Sequence, residues 1–292
     1  MSSLEKLGRI NIKYIWFLML LSLFIPSFIP LGQYTKVSSM TADFYQFFTN
    51  MPEGKVALIV NAHSIMTYYP IKGALILTLK LLMEKNVKFV IISLAIQAPI
   101  IYPDWITGAN PEKYGYEYGK DYVLFGYLAG EEMALASFAS DVWNTYNNDF
   151  YGNSLSSLPL MQNIHSWQDF DIAIGSTHST TAIDYFVRQL SVGKQNPLND
   201  PYSDNGLGIV FVPHSSGAPD VVPYVGIVPG VHVMIYGTQG AAELEHIARR
   251  YGHATAQADA KNLGVIVLFT FVVFGNIAYF AKKFSEKEEI KI

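Results

Sequence analysis

The sequence predicts an α/β domain on a mostly parallel, doubly wound (Rossmann-like) sheet, flanked by an N-terminal and a C-terminal transmembrane helix. Three observations predict it. Short, continuous apolar runs rich in β-branched residues alternate with longer segments at helical spacing through the middle of the chain. Uncharged apolar stretches lie near both ends. The 292 residues are 50% hydrophobic, 14% aromatic and only 15% charged, where soluble domains carry about 25% charged residues. Mean hydropathy is +0.21.

The chain opens with a basic tail, residues 1–13, and a first transmembrane helix is expected over 14–35. No charge occurs between Lys13 and Lys36, and Tyr14–Leu31 is long enough to cross a hydrocarbon core of about 30 Å. Pro26 and Pro30 kink or end it near its far end. The rival reading is a cleaved signal peptide, against which stands the lack of a small-x-small cleavage site. A second transmembrane helix is expected over 262–281, with Tyr279 at the interface beside Lys282 and Lys283. A charged tail, 282–292, follows.

Orientation follows from basic residues. Lys6, Arg9 and Lys13 precede the first helix, and Lys36 alone closely follows it. Cytoplasmic termini and an extracytoplasmic domain are therefore expected, in a two-pass protein of the cell membrane. The N-terminal tail carries +2 (three bases against Glu5) and the C-terminal tail +1 (four Lys against three Glu). The overall −4 thus leaves −7 on residues 14–281. That balance argues against a nucleic-acid partner. The absence of cysteine excludes disulfides, thiolate catalysis and Cys-ligated metal.

Residues 36–261 form the expected α/β domain. Thr41–Met51 reads as an aromatic-rich helix capped by Thr41 or Asp43. Lys55–Asn61 is a strand, Pro70–Glu84 a helix and Asn86–Leu94 a second strand. Tyr122–Tyr127 is a third strand, followed by one helix over Gly130–Tyr146. Phe170–Ile174 is a fourth, leading to a helix opening near Ser179, and Gly208–Val212 is a fifth. Gln239–Arg250 closes the domain as a helix, with Glu245 and Arg249 at i,i+4. Tyr114, Tyr116, Tyr118 and Tyr122 read as rings packed from an extended loop. Strand order is not deducible. The uncharged run Val221–Ala242, broken by Pro223 and Pro229, reads as buried core or a membrane-surface segment.

Ligands of open parallel sheets bind beyond the carboxyl ends of the strands. Three such ends here carry His-Ser: His63-Ser64, His178-Ser179 and His214-Ser215. Three converging imidazoles would suit zinc, with Glu131, Glu132 or Asp220 as a carboxylate and a metal-bound water as nucleophile. The alternative is that these are loop histidines capping helices. Ser64, Ser176, Thr177, Ser179, Thr180 and Ser215 are the candidates for holding a small polar or anionic ligand, since a helix N-terminus offers free N–H groups. N-capping alone is the competing reading. Glu243 and His246 show an ExxH spacing and read as a solvated helix face. No GxSxG elbow, P-loop, GxGxxG or HExxH occurs.

The stretches Tyr118–Glu132, Gln168–Ser176, Val222–Gly230 and Gln239–Glu245, followed by a terminal membrane helix, resemble a group of uncharacterised prokaryotic, including archaeal, membrane-anchored proteins. The resemblance implies architecture and no activity. Two function classes stand: a self-associating membrane-anchored assembly or binding protein, and a membrane-bound hydrolase with a His-lined, zinc-dependent site. The aromatic content, 19 Tyr, 18 Phe and 4 Trp, favours a homo-oligomer. Tyr224, Gly226, Gly230 and Tyr236 are its candidate contacts, and the lipid bilayer is the other expected partner.

Overall fold

A computed structural model describes residues 10–33, 35–190, 208–211, 231–234 and 237–289. His214, Ser215, Tyr224, Gly226, Gly230 and Tyr236 lie outside the described residues, as does the side chain of Thr180. The chain divides into two compact units, one drawn from its two ends and one spanning Thr35–Arg250.

The Thr35–Arg250 unit is an α/β domain whose strands are all parallel. After α1 (Ile12–Phe28) of the other unit, its elements run α2 (Ser39–Asn50), β1 (Val56–Ala62), α3 (Ile65–Tyr68), α4 (Lys72–Glu84), β2 (Lys88–Ser93) and α5 (Ala98–Ala109). There follow β3 (Tyr122–Tyr127), α6 (Glu131–Ser140), α7 (Val142–Thr145), β4 (Ile172–Thr177), α8 (Thr180–Leu190), β5 (Gly208–Phe211), β6 (Val231–Met234) and α9 (Gly237–Ile247). The sheet order is β3-β2-β1-β4-β5-β6. The chain therefore works outward from β1 to one edge and then outward from β4 to the other. That is the doubly wound order, with its switch point between β1 and β4.

Both faces of β1 and β2 are buried, which is why these strands read as unbroken apolar runs. One face, Leu58, Val60, Val90, Ile92 and Ala173, packs with Leu135 and Phe138 of α6 and Ile183 and Phe186 of α8. Leu75, Leu79 and Leu82 of α4 are buried as well, and α4 packs against both α5 and α9. Trp167 anchors the start of β4, its indole N–H donating to the Leu190 carbonyl at 2.6 Å.

The structure departs from the sequence reading in several places. Ser38, rather than Thr41 or Asp43, caps α2 by accepting from the Thr41 amide. The helix expected over Gly130–Tyr146 breaks at Asp141, whose extended backbone ends α6 and whose carboxylate accepts from Asn144 N at 3.0 Å to start α7. Helix α5 was hidden by proline: one stands in its first turn, where no N–H is needed, and Pro103 sits inside it. Part of the run Val221–Ala242 is a sixth strand. Finally, Glu243 and Glu245 are buried, not a solvated face, and Arg249 lies beyond α9 in a left-handed conformation.

The tyrosine rings pack as expected, but not from an extended loop: Tyr114 ends a 3₁₀ turn and Tyr122 opens β3. Tyr116 donates to the Val87 carbonyl at 2.9 Å, and Tyr118 to Asp149 at 2.7 Å. Asp149 also accepts from the amides of Tyr151 and Asn153, closing the turn after α7. Burial pushes the phenols of Tyr116 and Tyr118 well up.

The second unit pairs α1 (Ile12–Phe28) with α10 (His253–Glu289). Residues His253–Lys283 of α10 are long and apolar enough to cross a membrane, and their most apolar 18-residue stretch is almost wholly exposed. The segment Ile65–Glu84 is also apolar, but 56% buried, as befits a core element of the domain. Helix α1 is an apolar helix of 17 residues. Helix α10 starts well before residue 262 because the preceding stretch, HATAQADA, is alanine-rich and favours helix. Asp259 in that stretch accepts the backbone amides of Leu31, Gly32 and Gln33 at 2.6, 3.0 and 3.0 Å.

Candidate functional site

The register aligns Asn61 of β1 with Ser93 of β2 and Ser176 of β4. All three are fully buried, forming a polar row across the carboxyl end of the sheet. Asn61 Oδ1 accepts the amide of His63 at 3.1 Å, so the row fixes the turn by which the chain leaves β1. Ser93 Oγ accepts the Ala95 amide at 3.0 Å and does the same after β2. Beyond β4, Thr177 Oγ1 accepts the Ser179 amide at 2.9 Å, and the Ser179 carbonyl takes the first helical bond of α8.

These turns bring His63 and His178 together. Their ring centres lie 5.9 Å apart with planes inclined by 37°. His63 is fully buried and His178 half-buried. Thr67 Oγ1 lies 3.3 Å from His63 Nδ1. The same hydroxyl takes the Ser64 amide at 3.0 Å, so Ser64 is the cap of α3.

A cavity of about 490 Å³ opens beside the pair, within the size range of small-molecule sites. It is lined by Ala62, Leu94 and Ala95 from the ends of β1 and β2, by His178, Ser179, Thr181, Ala182 and Tyr185 from β4 and α8, and by Glu131 of α6. The first turn of α8 thus forms one wall, where orphan N–H groups favour polar ligand atoms. Glu131 has φ of +50° and follows Gly130 at +117°. A non-glycine residue held in the left-handed region costs of order 1–3 kcal/mol and recurs at ligand sites.

Glu131 accepts from the Tyr185 hydroxyl at 3.2 Å. Desolvation, then the bond to Glu131, raises the pKa of that phenol. Next to it, Arg188 grips Glu132 through two bonds of 2.8 Å, and Gln189 adds a third. Arg188, then Gln189, holds the Glu132 carboxyl at about 2. Arg188 is therefore neutralised, and among the described residues the lining contains a carboxylate but neither lysine nor arginine. Such a wall suits neutral, hydroxyl-rich ligands better than anions.

Of the residues expected here, His63, His178 and Ser179 come to the crevice. Ser176 and Thr177 are fully buried, and Thr177 serves the turn; Ser64 caps a helix. Glu131 was named only as a carboxylate for a metal. Tyr185, Leu94 and Ala95 were not foreseen, since nothing local marks them. Among the described residues no group of three or more His, Asp or Glu is placed to hold a metal.

The fold and crevice define a Rossmann-like α/β protein. No family model matches the chain, and no curated protein matches it. Among solved structures, a trehalose-6-phosphate synthase, OtsA, aligns at a TM-score of 0.31 and 10% identity over 88% of this chain and 48% of that one. The chain spans about half of that enzyme's length, and a likeness this slight carries no argument.

Proposed function

We propose that this chain is a membrane-anchored binding protein whose α/β domain holds a small, neutral polar ligand in the crevice between β1 and β4. The cavity at the switch point carries the reading, because doubly wound sheets place their ligands there. Supporting the anchor are the apolar length of α10 and its exposed face of Val265, Ile266, Leu268, Phe269 and Val272. The basic residues before α1 support an extracytoplasmic domain. Self-association belongs to the proposal: Met66, Ile96 and Ile100 of the domain are large, apolar and at least 67% exposed, as surfaces that meet a second copy are. A second reading, a hydrolase, is favoured by the His63–His178 pair beside the cavity.

The test is a thermal-shift screen of the detergent-purified chain against neutral polyols, sugars and nucleosides. A true ligand raises the midpoint of the wild type and leaves Thr181→Trp unmoved, because an indole at this exposed lining position fills the cavity. At 100 times Kd the stabilisation is about 2.7 kcal/mol. Equal shifts in both proteins would place binding elsewhere.

A further inference from the structure

We propose that the β1/β4 crevice selects ligands carrying a vicinal diol on a ring, as in a nucleoside or a sugar, and that Glu131 selects them. The proposal rests on the binding reading and names the ligand class of the same site. Glu131 lines the cavity together with Ser179 and Thr181. An ionised carboxylate only accepts hydrogen bonds, from about four directions on its two oxygens. The Tyr185 hydroxyl takes one of them, on Oε2 at 3.2 Å, which leaves acceptor capacity for a ligand's donors. Two oxygens fixed side by side match two hydroxyls on adjacent carbons, and such charge-assisted bonds are about twice as strong as neutral ones.

The carboxylate and its partner are both held in place. Glu131 keeps φ of +50° beside Gly130, a backbone that glycine would adopt without strain. A side chain retained at that cost points to a role for the group it carries. Helices α6 and α8, which supply Glu131 and Tyr185, pack against each other. Arg188, bonded twice to Glu132, lies over one face of the Tyr185 ring, 5.7 Å from its centroid. That contact braces the ring whose hydroxyl meets Glu131, so Tyr185 is a positioning residue. It also disfavours a cationic ligand, because the ring face such a ligand would seek already carries a guanidinium. The hydroxyls of Ser179 and Thr181, which donate and accept, complete a lining suited to a polyol.

The experiment is isothermal titration calorimetry of the full chain in mild detergent. The probes are adenosine, uridine and methyl riboside, each beside its deoxy analogue, with methyl glucoside and myo-inositol as six-membered-ring diols. At least one diol should bind the wild type. Its deoxy analogue, where the panel holds one, should bind at least about 10-fold more weakly, the scale of one hydrogen bond to a charged group. Glu131→Gln and Glu131→Gly should each weaken diol binding by at least about as much. Glycine suits the left-handed backbone, so the second variant keeps the fold, which circular dichroism checks. Tyr185→Phe should shrink the diol-to-deoxy ratio, which a merely structural role would not move. Glu117→Gln, at an exposed carboxylate before β3, should bind as wild type. No binding of any of these diols to the wild type, equal affinity for diol and deoxy analogue, or undiminished binding by both folded Glu131 variants overturns the proposal. Each of those results leaves the binding reading open to other neutral ligands. Diol binding that needs Glu131 but survives Thr181→Trp upholds the selection while the cavity reading falls.

Discussion

Glu243→Ala is expected to destabilise the α/β domain by about 3 kcal/mol, the scale of removing a buried, multiply bonded carboxylate. Glu243 is 5% exposed on α9. Its carboxylate accepts from the Ser38 amide at 3.0 Å, the Ser38 hydroxyl at 2.6 Å, the Thr41 hydroxyl at 2.8 Å and Gln239 at 3.2 Å. Truncation leaves the buried donors at the N-cap of α2 without their acceptor. Burial by itself would raise the pKa of this group, but the bonds from Ser38, Thr41 and Gln239 outweigh it and hold the pKa below the ordinary 4.5. The sign follows. A depressed folded pKa contributes stability that is present above the unfolded value and lost as pH falls through the folded one. Urea unfolding at a series of pH values should show the wild type losing stability below the ordinary carboxylate pKa. Glu243→Gln should be less stable at neutral pH and flatter across that window. An unchanged pH profile in the variant would refute the assignment.

Asp259→Ala is expected to have a comparable effect on the paired helices α1 and α10, about 3 kcal/mol for three backbone amides that lose one shared side-chain acceptor. Asp259 is 1% exposed. One of its oxygens takes Leu31 and Gly32, and the other takes Gln33. Asn cannot substitute, because whichever oxygen becomes an amide turns its N–H₂ on a backbone N–H. Gly32 at φ +64° with a Tyr251 ring atom 3.0 Å from where a Cβ would stand shows how closely this turn is fitted. Limited proteolysis of the detergent-purified protein should cut the turn after α1 faster in Asp259→Ala and in Asp259→Asn. Cleavage at the wild-type rate in both would contradict the clasp.

The strands were legible because burial on both faces demands unbroken β-branched runs, as in VALIVNA of β1 and KFVIIS of β2. Element ends were less so: a hydroxyl at Ser38 and an aspartate at Asp141 decide them, and each competes with similar neighbours. Helix α5 was concealed by prolines that its first turn and its exposed side tolerate. The order of the strands depends on contacts between distant segments, and no local pattern encodes them. The same holds for the site. That His63 and His178 sit at strand ends could be read, but their adjacency required β1 to pair with β4. Glu243 looked solvated on its own helix because its partners, Ser38 and Thr41, stand 205 and 202 residues away.

Native mass spectrometry of the chain released from its own membranes tests the central claim most directly, since one spectrum reports copy number, bound ligand and bound metal. The expected spectrum shows an assembly of identical chains, each with one small neutral adduct that fits about 490 Å³ and is missing from Thr181→Trp. Bare, unliganded chains in both proteins, or the same adduct retained by Thr181→Trp, would contradict a binding site at the β1/β4 crevice.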